Sequence, residues 1–281
     1  MNFAIYQSSH QGGRKYNQDC VAHAYTDRAL LLVLADGMGG HSHGELAAQI
    51  TIKTFMQAFA LEAQPVVNDP VEFLSLVMRK AHNNIIQFAE DQQLAGNPGT
   101  TCVAAMVQDG RVCWAHAGDS RFYLLRNKQV RSVTHDHSVV QQWADMGFIT
   151  AEQMKTHPDR HRITNCLGGE GDMFFVESEP ERDIQQGDVI LLCSDGLWGP
   201  LSPTEISESL MQESLSVSLE DLMELSLYRE GVHADNTTAV VARWGDKEPD
   251  RQVSEAVFEI LDTLILSPIY PACPIVGPHM L

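Results

Sequence analysis

The chain has 281 residues, of which 37 are Asp or Glu and 19 are Lys or Arg, for a formal net charge of −18. Hydrophobic residues make up 44% and charged residues 20%, a globular balance that excludes disordered, collagen-like and low-complexity classes. So acidic a chain is unsuited to general nucleic-acid binding, which needs Lys and Arg against phosphates; a phosphorylated substrate stays open, because metal ions can supply positive charge locally.

The opening stretch, MNFAIYQSSHQGGR, has no basic segment followed by an apolar one, so no secretory leader is expected. No apolar run approaches the roughly 18 residues of a membrane span. Strands are expected at 3–8 and 20–25, and the apolar run ALLLVLA over 29–35 reads as a buried strand. Helical patterns follow at about 43–63 and 71–94. In the second, Val71, Leu74, Val77, Met78, Ala81 and Ile85 keep helical spacing, and Asn68-Asp69-Pro70 is a helix start. Residues 100–134 read as a meander of short strands, with a hairpin turn at Asp109-Gly110. In it Trp114, Phe122 and Tyr123 are expected in the core, and Arg121 in a structural ion pair.

Residues 137–170 are polar and read as short helices and loops. VILLCS at 189–194 is a strand, helices are expected near 203–213 and 217–230, and TTAVVARW at 237–244 is a final strand. This order predicts an α+β fold with antiparallel sheets, two packed together, and helices outside. Beyond Trp244 the composition shifts. GDKEPDRQ reads as a linker, then Val253, Ala256, Val257, Ile260, Leu261, Leu264 and Ile265 mark one helical face, and four Pro fill the end. That helix either packs on the domain or contacts a partner or a second copy. The cysteines at 20, 102, 113, 166, 193 and 273 form no CxxC pair and sit mostly in apolar runs, so buried thiols of a cytoplasmic protein are expected.

One device recurs. LLLVLAD-GMGG delivers Asp36 from a buried strand into a Gly-rich turn, VILLCSD-GLWG delivers Asp195 in the same way, and CWAHAGDSR delivers Asp119. Asp235 stands just before the last strand. Carboxylates converging at one sheet rim repel one another unless cations neutralise them. Oxygen ligands select hard ions such as Mg²⁺ or Mn²⁺. Gly37 and Gly39 let the backbone approach closely, so a main-chain carbonyl could join the ligands. Two ions sharing a carboxylate would activate a water and clamp a phosphoryl group, with an Arg as its remaining partner. No Cys stands in a phosphate-cradling loop, so a cysteine-based phosphatase has no support.

The blocks Gly13-Arg14-Lys15-Tyr16-Asn17-Gln18-Asp19, Ala35-Asp36-Gly37-Met38-Gly39-Gly40, Gly99-Thr100-Thr101, Gly118-Asp119-Ser120-Arg121, Asp136-His137-Ser138, Ser194-Asp195-Gly196 and Asp235-Asn236-Thr237-Thr238 resemble the metal-dependent serine/threonine protein phosphatases of the PPM (PP2C-type) family. The bacterial branch is the nearer match, and the resemblance covers about residues 1–245. It implies a four-layer α-β-β-α sandwich, two antiparallel sheets flanked by helix pairs. It implies two or three Mn²⁺ or Mg²⁺ ions and hydrolysis of phosphoserine or phosphothreonine in proteins by direct attack of an activated water.

It also implies roles for residues. Asp36 would bridge two metals, the Gly37 carbonyl would ligate one, Asp195 and Asp235 would hold the other, and Asp119 would bind a third. Asp19 would orient a metal-bound water, Arg14 would bind the substrate phosphate, and residues 139–170 would form a flap carrying His161. Thr100 and Thr101 are either plain strand residues or holders of the metal-ligand loop. The chain departs from the family pattern at Gln18, where Glu is usual, and at Met38, where many eukaryotic members have His. His41 and His43 are the nearby candidates for a general acid. A low-activity regulatory or partner-binding module on the same fold is the alternative, motivated by Gln18 and by residues 246–281. A metal-dependent nuclease would fit the carboxylates but not the charge or the motif set.

Overall fold

The computed structural model describes residues 1–38, 43–169 and 174–246. In chain order its strands are β1 (Phe3–His10), β2 (Asp19–Tyr25), β3 (Ala29–Met38), β4 (Gly99–Thr100), β5 (Cys102–Gln108), β6 (Arg111–Ala117), β7 (Arg121–Arg126), β8 (Gln129–Val133), β9 (Leu167–Gly168), β10 (Glu177–Asp183), β11 (Val189–Cys193) and β12 (Thr237–Trp244). The helices are α1 (Gly44–Glu62), α2 (Pro70–Asp91), α3 (Val139–Asp145), α4 (Ala151–Thr156), α5 (Asp195–Trp198), α6 (Pro203–Leu210) and α7 (Leu215–Glu230).

One antiparallel sheet runs β1-β12-β11-β7-β8. The other runs β10-β6-β5-β3, with β2 paired to β3 on its far side. The short β4 pairs with the last two residues of β3, Gly37 and Met38, and β9 pairs with β4. The strand expected from Thr100 to Gln108 is interrupted at Thr101. There the Thr101 N–H donates to the Asp36 carbonyl at 2.8 Å, and its hydroxyl accepts the Asp36 N–H at 3.2 Å, in place of the second ladder bond.

The alternation of side chains explains the layers. On β3, Leu31, Val33 and Ala35 join the core beneath α1 and α2, while Leu30, Leu32 and Leu34 join the core between the sheets. A strand covered on both faces reads as one continuous apolar run. On β11, Leu191 and Cys193 meet α6 and α7, whereas Ile190 and Leu192 face the other sheet. The result is the expected four-layer α-β-β-α sandwich. Trp114, Phe122 and Tyr123 are buried as expected, and Trp114 stacks on Phe122 with ring centres 4.1 Å apart. Cys20, Cys102, Cys113 and Cys193 are buried in strands, and Cys166 is half-buried.

The helix starts follow local chemistry. Asp69 accepts the Glu72 N–H at 2.9 Å and Pro70 opens α2, where a missing N–H costs nothing. Ser202 and Glu205 form a capping box on α6. Strand β10 was not expected, because ESEPERD looks like loop. It survives as an edge strand, where only one side needs partners, and its register shifts between Glu179 and Arg182, around Pro180. Among the described residues no helix is long and apolar enough to cross a membrane. The helical face expected over 253–265, the Pro-rich end and Cys273 lie outside the described residues.

Leu32 is fully buried between the two sheets. Leu32→Ala is expected to cost about 2–5 kcal/mol of unfolding free energy, read from the urea midpoint at unchanged slope. A loss within the range of an ordinary surface substitution would show that the inter-sheet core is not a cooperative part of the fold.

Candidate metal centre

Asp19 opens β2 and lies opposite Asp36, which ends the regular part of β3. Asp195 begins α5 directly after β11, Asp119 stands in the turn between β6 and β7, and Asp235 immediately precedes β12. The two sheets thus deliver five carboxylates to one rim. Asp36 feels the charges of all four others, Asp19 most strongly, then Asp195, Asp119 and Asp235. Ser194, next to Asp195, donates its hydroxyl to Asp19 Oδ2 at 2.9 Å. The expected acids are therefore brought together.

Their electrostatics favour the binding of cations. Burial pushes the Asp19 carboxyl up to about 7; the Thr238 and Ser194 hydroxyls oppose this, and the Asp195 charge adds to it. Burial, followed by the neighbouring carboxylates, holds Asp36 well above the usual range. Asp119 is raised in the same way, by burial and then by Asp195 and Asp136. Among the described residues, buried Asp19 Oδ1 has no hydrogen-bond partner. An orphan carboxylate oxygen among other oxygen donors fits a hard divalent ion or a water that such an ion holds. Among the described residues no three of these acids bring oxygens within 4.8 Å of one another. The one such group of three among the described residues is His116, His137 and Glu177.

Close packing shapes the site. A Cβ on Gly37 would lie 2.4 Å from the Gly44 carbonyl oxygen and 2.7 Å from that of Gln18, so no larger residue fits. Thr100 donates its hydroxyl to the Asp36 carbonyl at 2.9 Å, and Thr101 holds the same residue from both backbone and side chain. Both threonines thus hold the backbone at Asp36. Arg14, on the loop before β2, reaches Asp235 Oδ2 at 2.5 Å and is largely exposed. His161 Nδ1 is 3.6 Å from Asp195 Oδ2.

The departures from the family pattern have local answers. Gln18 donates its amide Nε2 to Glu45 Oε2 at 3.1 Å, in the first turn of α1, where a carboxylate at position 18 would face another. Met38 is half-buried at the end of β3. His43 precedes α1 at φ 94° with no capping bond from its side chain, and His41 lies outside the described residues. Arg121 forms the expected ion pair, bidentate to Asp136 at 2.7 and 2.8 Å.

Three contributors carried no role in the sequence reading. Asn236 accepts the Gln18 N–H and donates to the Gln11 and Tyr16 carbonyls, which ties the Arg14 loop to Asp235. Trp198 donates its indole N–H to the Asp119 carbonyl at 2.9 Å and lies beneath the Arg121 guanidinium, 3.5 Å from the ring centre. His137 accepts the N–H of Gly118, the residue before Asp119, on its ring Nδ1. Asn236 and His137 stand inside the matched blocks, so their motif membership was the available signal. Trp198 had none.

The protein phosphatase 2C family model matches residues 6–229. Serine/threonine protein phosphatase PstP of Mycobacterium tuberculosis is 37% identical over 217 residues, covering 76% of this chain and 40% of PstP, so the chain spans less than half the length of that relative. Protein phosphatase PhpP of Streptococcus pneumoniae is 30% identical over 243 residues, covering 84% of this chain and 95% of PhpP. The crystal structure of the PstP catalytic domain in complex with two manganese ions superposes with a TM-score of 0.71 at 33% identity, over 86% of this chain and 97% of that one. The sandwich, the ring of acids at its rim and the family match across residues 6–229 agree: the chain belongs to the protein phosphatase 2C family.

Proposed function

We propose that the chain is a metal-dependent phosphoprotein phosphatase that hydrolyses phosphoserine and phosphothreonine in protein substrates. The observation that carries this reading is the convergence of Asp19, Asp36, Asp119, Asp195 and Asp235 beside Arg14. Residues 1–245 form the catalytic domain, and 139–170 act as a flap beside the site. Its relatives bear the name of serine/threonine protein phosphatases, and one was solved with two manganese ions. The buried thiols of the β-strands suit a reducing compartment, and we assign the protein to the cytoplasm.

Asp36, Asp195, Asp235 and the Gly37 carbonyl would hold two Mn²⁺ or Mg²⁺ ions, and Asp119 would hold a third. When bound, such ions activate a water and neutralise charge on a phosphoryl group. The chain's own groups do the rest. Arg14, exposed and paired only to a carboxylate at the rim, exchanges that partner for the oxygens of a substrate phosphate. Asp19 Oδ1, left without a protein partner, accepts a hydrogen bond from the attacking water. His161 brings the flap to the edge of Asp195.

Asp36→Asn and Asp195→Asn are each expected to abolish Mn²⁺-dependent release of phosphate from a phosphopeptide. Wild-type turnover in a folded, purified variant would overturn the assignment. Loss of the Arg14 contact in Arg14→Ala should raise KM for phosphopeptide about 10- to 100-fold, the worth of a charged hydrogen bond, with a smaller effect on kcat; an unchanged KM would remove Arg14 from the phosphate site.

Metal binding should also be visible without turnover. Mn²⁺ at one hundred times its Kd is expected to add about 2.7 kcal/mol of stability, seen as a rise in Tm that a chelator reverses. Asp36→Asn should be more stable than wild type in chelator, because one repelling buried carboxylate is gone, yet gain no Tm from Mn²⁺. An equal Mn²⁺-induced shift in both proteins would place the ion elsewhere.

A further inference from the structure

His116, His137 and Glu177 bring possible ligand atoms within 4.8 Å of one another, away from the ring of acids. The geometry opposes reading them as a second metal site. The two imidazoles stack, with centres 4.4 Å apart and planes 20° apart, so their in-plane lone pairs do not converge on one point. The His137 ring is committed as well. Its Nδ1 faces the Gly118 N–H at 3.2 Å and Asn165 Nδ2 at 2.9 Å. A backbone N–H can only donate, so Nδ1 is the acceptor and the ring proton sits on Nε2, which donates to Glu177 Oε2 at 3.1 Å. A nitrogen that carries its proton is not a metal ligand.

What His137 does hold is a turn. Its backbone N–H donates to the Gly118 carbonyl at 3.0 Å while its ring accepts the Gly118 N–H. Both polar groups of Gly118 are thus fixed by one residue. Gly118 has φ +112°, and a Cβ there would lie 2.6 Å from Thr101 Cβ, so the turn has no freedom to add a side chain. The next residue is Asp119, whose carbonyl is held by Trp198. The His137 ring is itself held on three sides: by Asn165, which is anchored to both backbone groups of Phe175; by Glu177; and by the stacked His116.

We propose that His137 is a positioning residue for Asp119, its imidazole Nδ1 fixing the Gly118 peptide so that the Asp119 carboxylate is aimed into the metal centre. The proposal rests on the phosphatase reading only for the role of Asp119 as a metal ligand. Second-sphere contacts of this kind commonly set ligand placement and hence metal affinity.

The test is a calorimetric Mn²⁺ titration of the full chain and its variants, with no substrate present. Asp119→Asn identifies the class of Mn²⁺ sites that depends on this acid. His137→Phe keeps the ring and removes the acceptor, and should weaken that same class about 10- to 100-fold while leaving the remaining sites as in wild type. His137→Asn, whose amide oxygen can stand in for Nδ1, should restore the class. The double variant Asp119→Asn/His137→Phe should bind no worse than Asp119→Asn alone.

Wild-type titration by His137→Phe, an equal weakening of all classes, or failure of His137→Asn to rescue would each overturn the proposal while leaving the phosphatase reading intact. A wild-type protein that binds no Mn²⁺ would sink both. Should His137→Phe not fold by circular dichroism, Asn165→Ala, which frees the imidazole, is read against the same expectation: weakening of the Asp119-dependent class supports the proposal, and wild-type binding overturns it.

Discussion

Buried negative charge is the constraint around which this molecule is arranged. Asp19, Asp36 and Asp119 are held above their ordinary ionisation range by burial first and by one another second. A globular protein does not gather such groups for stability, because each ionised carboxylate loses hydration and repels its neighbours. The arrangement is instead a standing affinity for cations. Under the proposed function, so acidic a chain can act on a phosphate ester because positive charge would be needed only where bound ions and Arg14 meet, and not over the wider surface.

The scaffold offsets this frustration with stiffness. Apolar strands covered on both faces bring Asp36 and Asp195 to the rim with little freedom to move apart. Around them the hydrogen bonds are local and dense. Thr100 and Thr101 hold Asp36, Ser194 holds Asp19, Trp198 holds Asp119, and Asn236 ties the Arg14 loop to Asp235. Gly37 allows main chains to touch where a side chain would force them apart; at Gly196 a Cβ would lie 2.1 Å from the Asn236 carbonyl oxygen. Preorganisation of this kind keeps carboxylates in place during metal binding, when the repulsion between them changes sign into shared attraction for the ion.

Much of the fold was legible because its periods are local. The continuous run of β3, the amphipathic spacing of α2 with its Asp69-Pro70 start, and the Asp109-Gly110 hairpin each carry their meaning within a few residues. Strand β10 was not legible, since a charged, Pro-containing segment becomes a strand only because β6 offers it an edge. The family resemblance made the acids readable in sequence as a set. Arg121 was read as a structural pair, which it is, but its place above Trp198 connects that pair to Asp119.

The sequence by itself determined most of the elements in order and, through the strand-Asp-Gly device together with the family resemblance, which acids to look for at one rim, because these patterns are written along short stretches of chain. Only the tertiary structure decided which groups stand beside those acids. Ser194 meets Asp19 across 175 positions and Asn236 meets Gln18 across 218. Gln18, a departure from the family pattern, becomes a donor to Glu45 only because α1 starts where it does. Contacts of that span arise from packing two sheets face to face, and no local pattern encodes the direction in which a distant hydroxyl or amide will point.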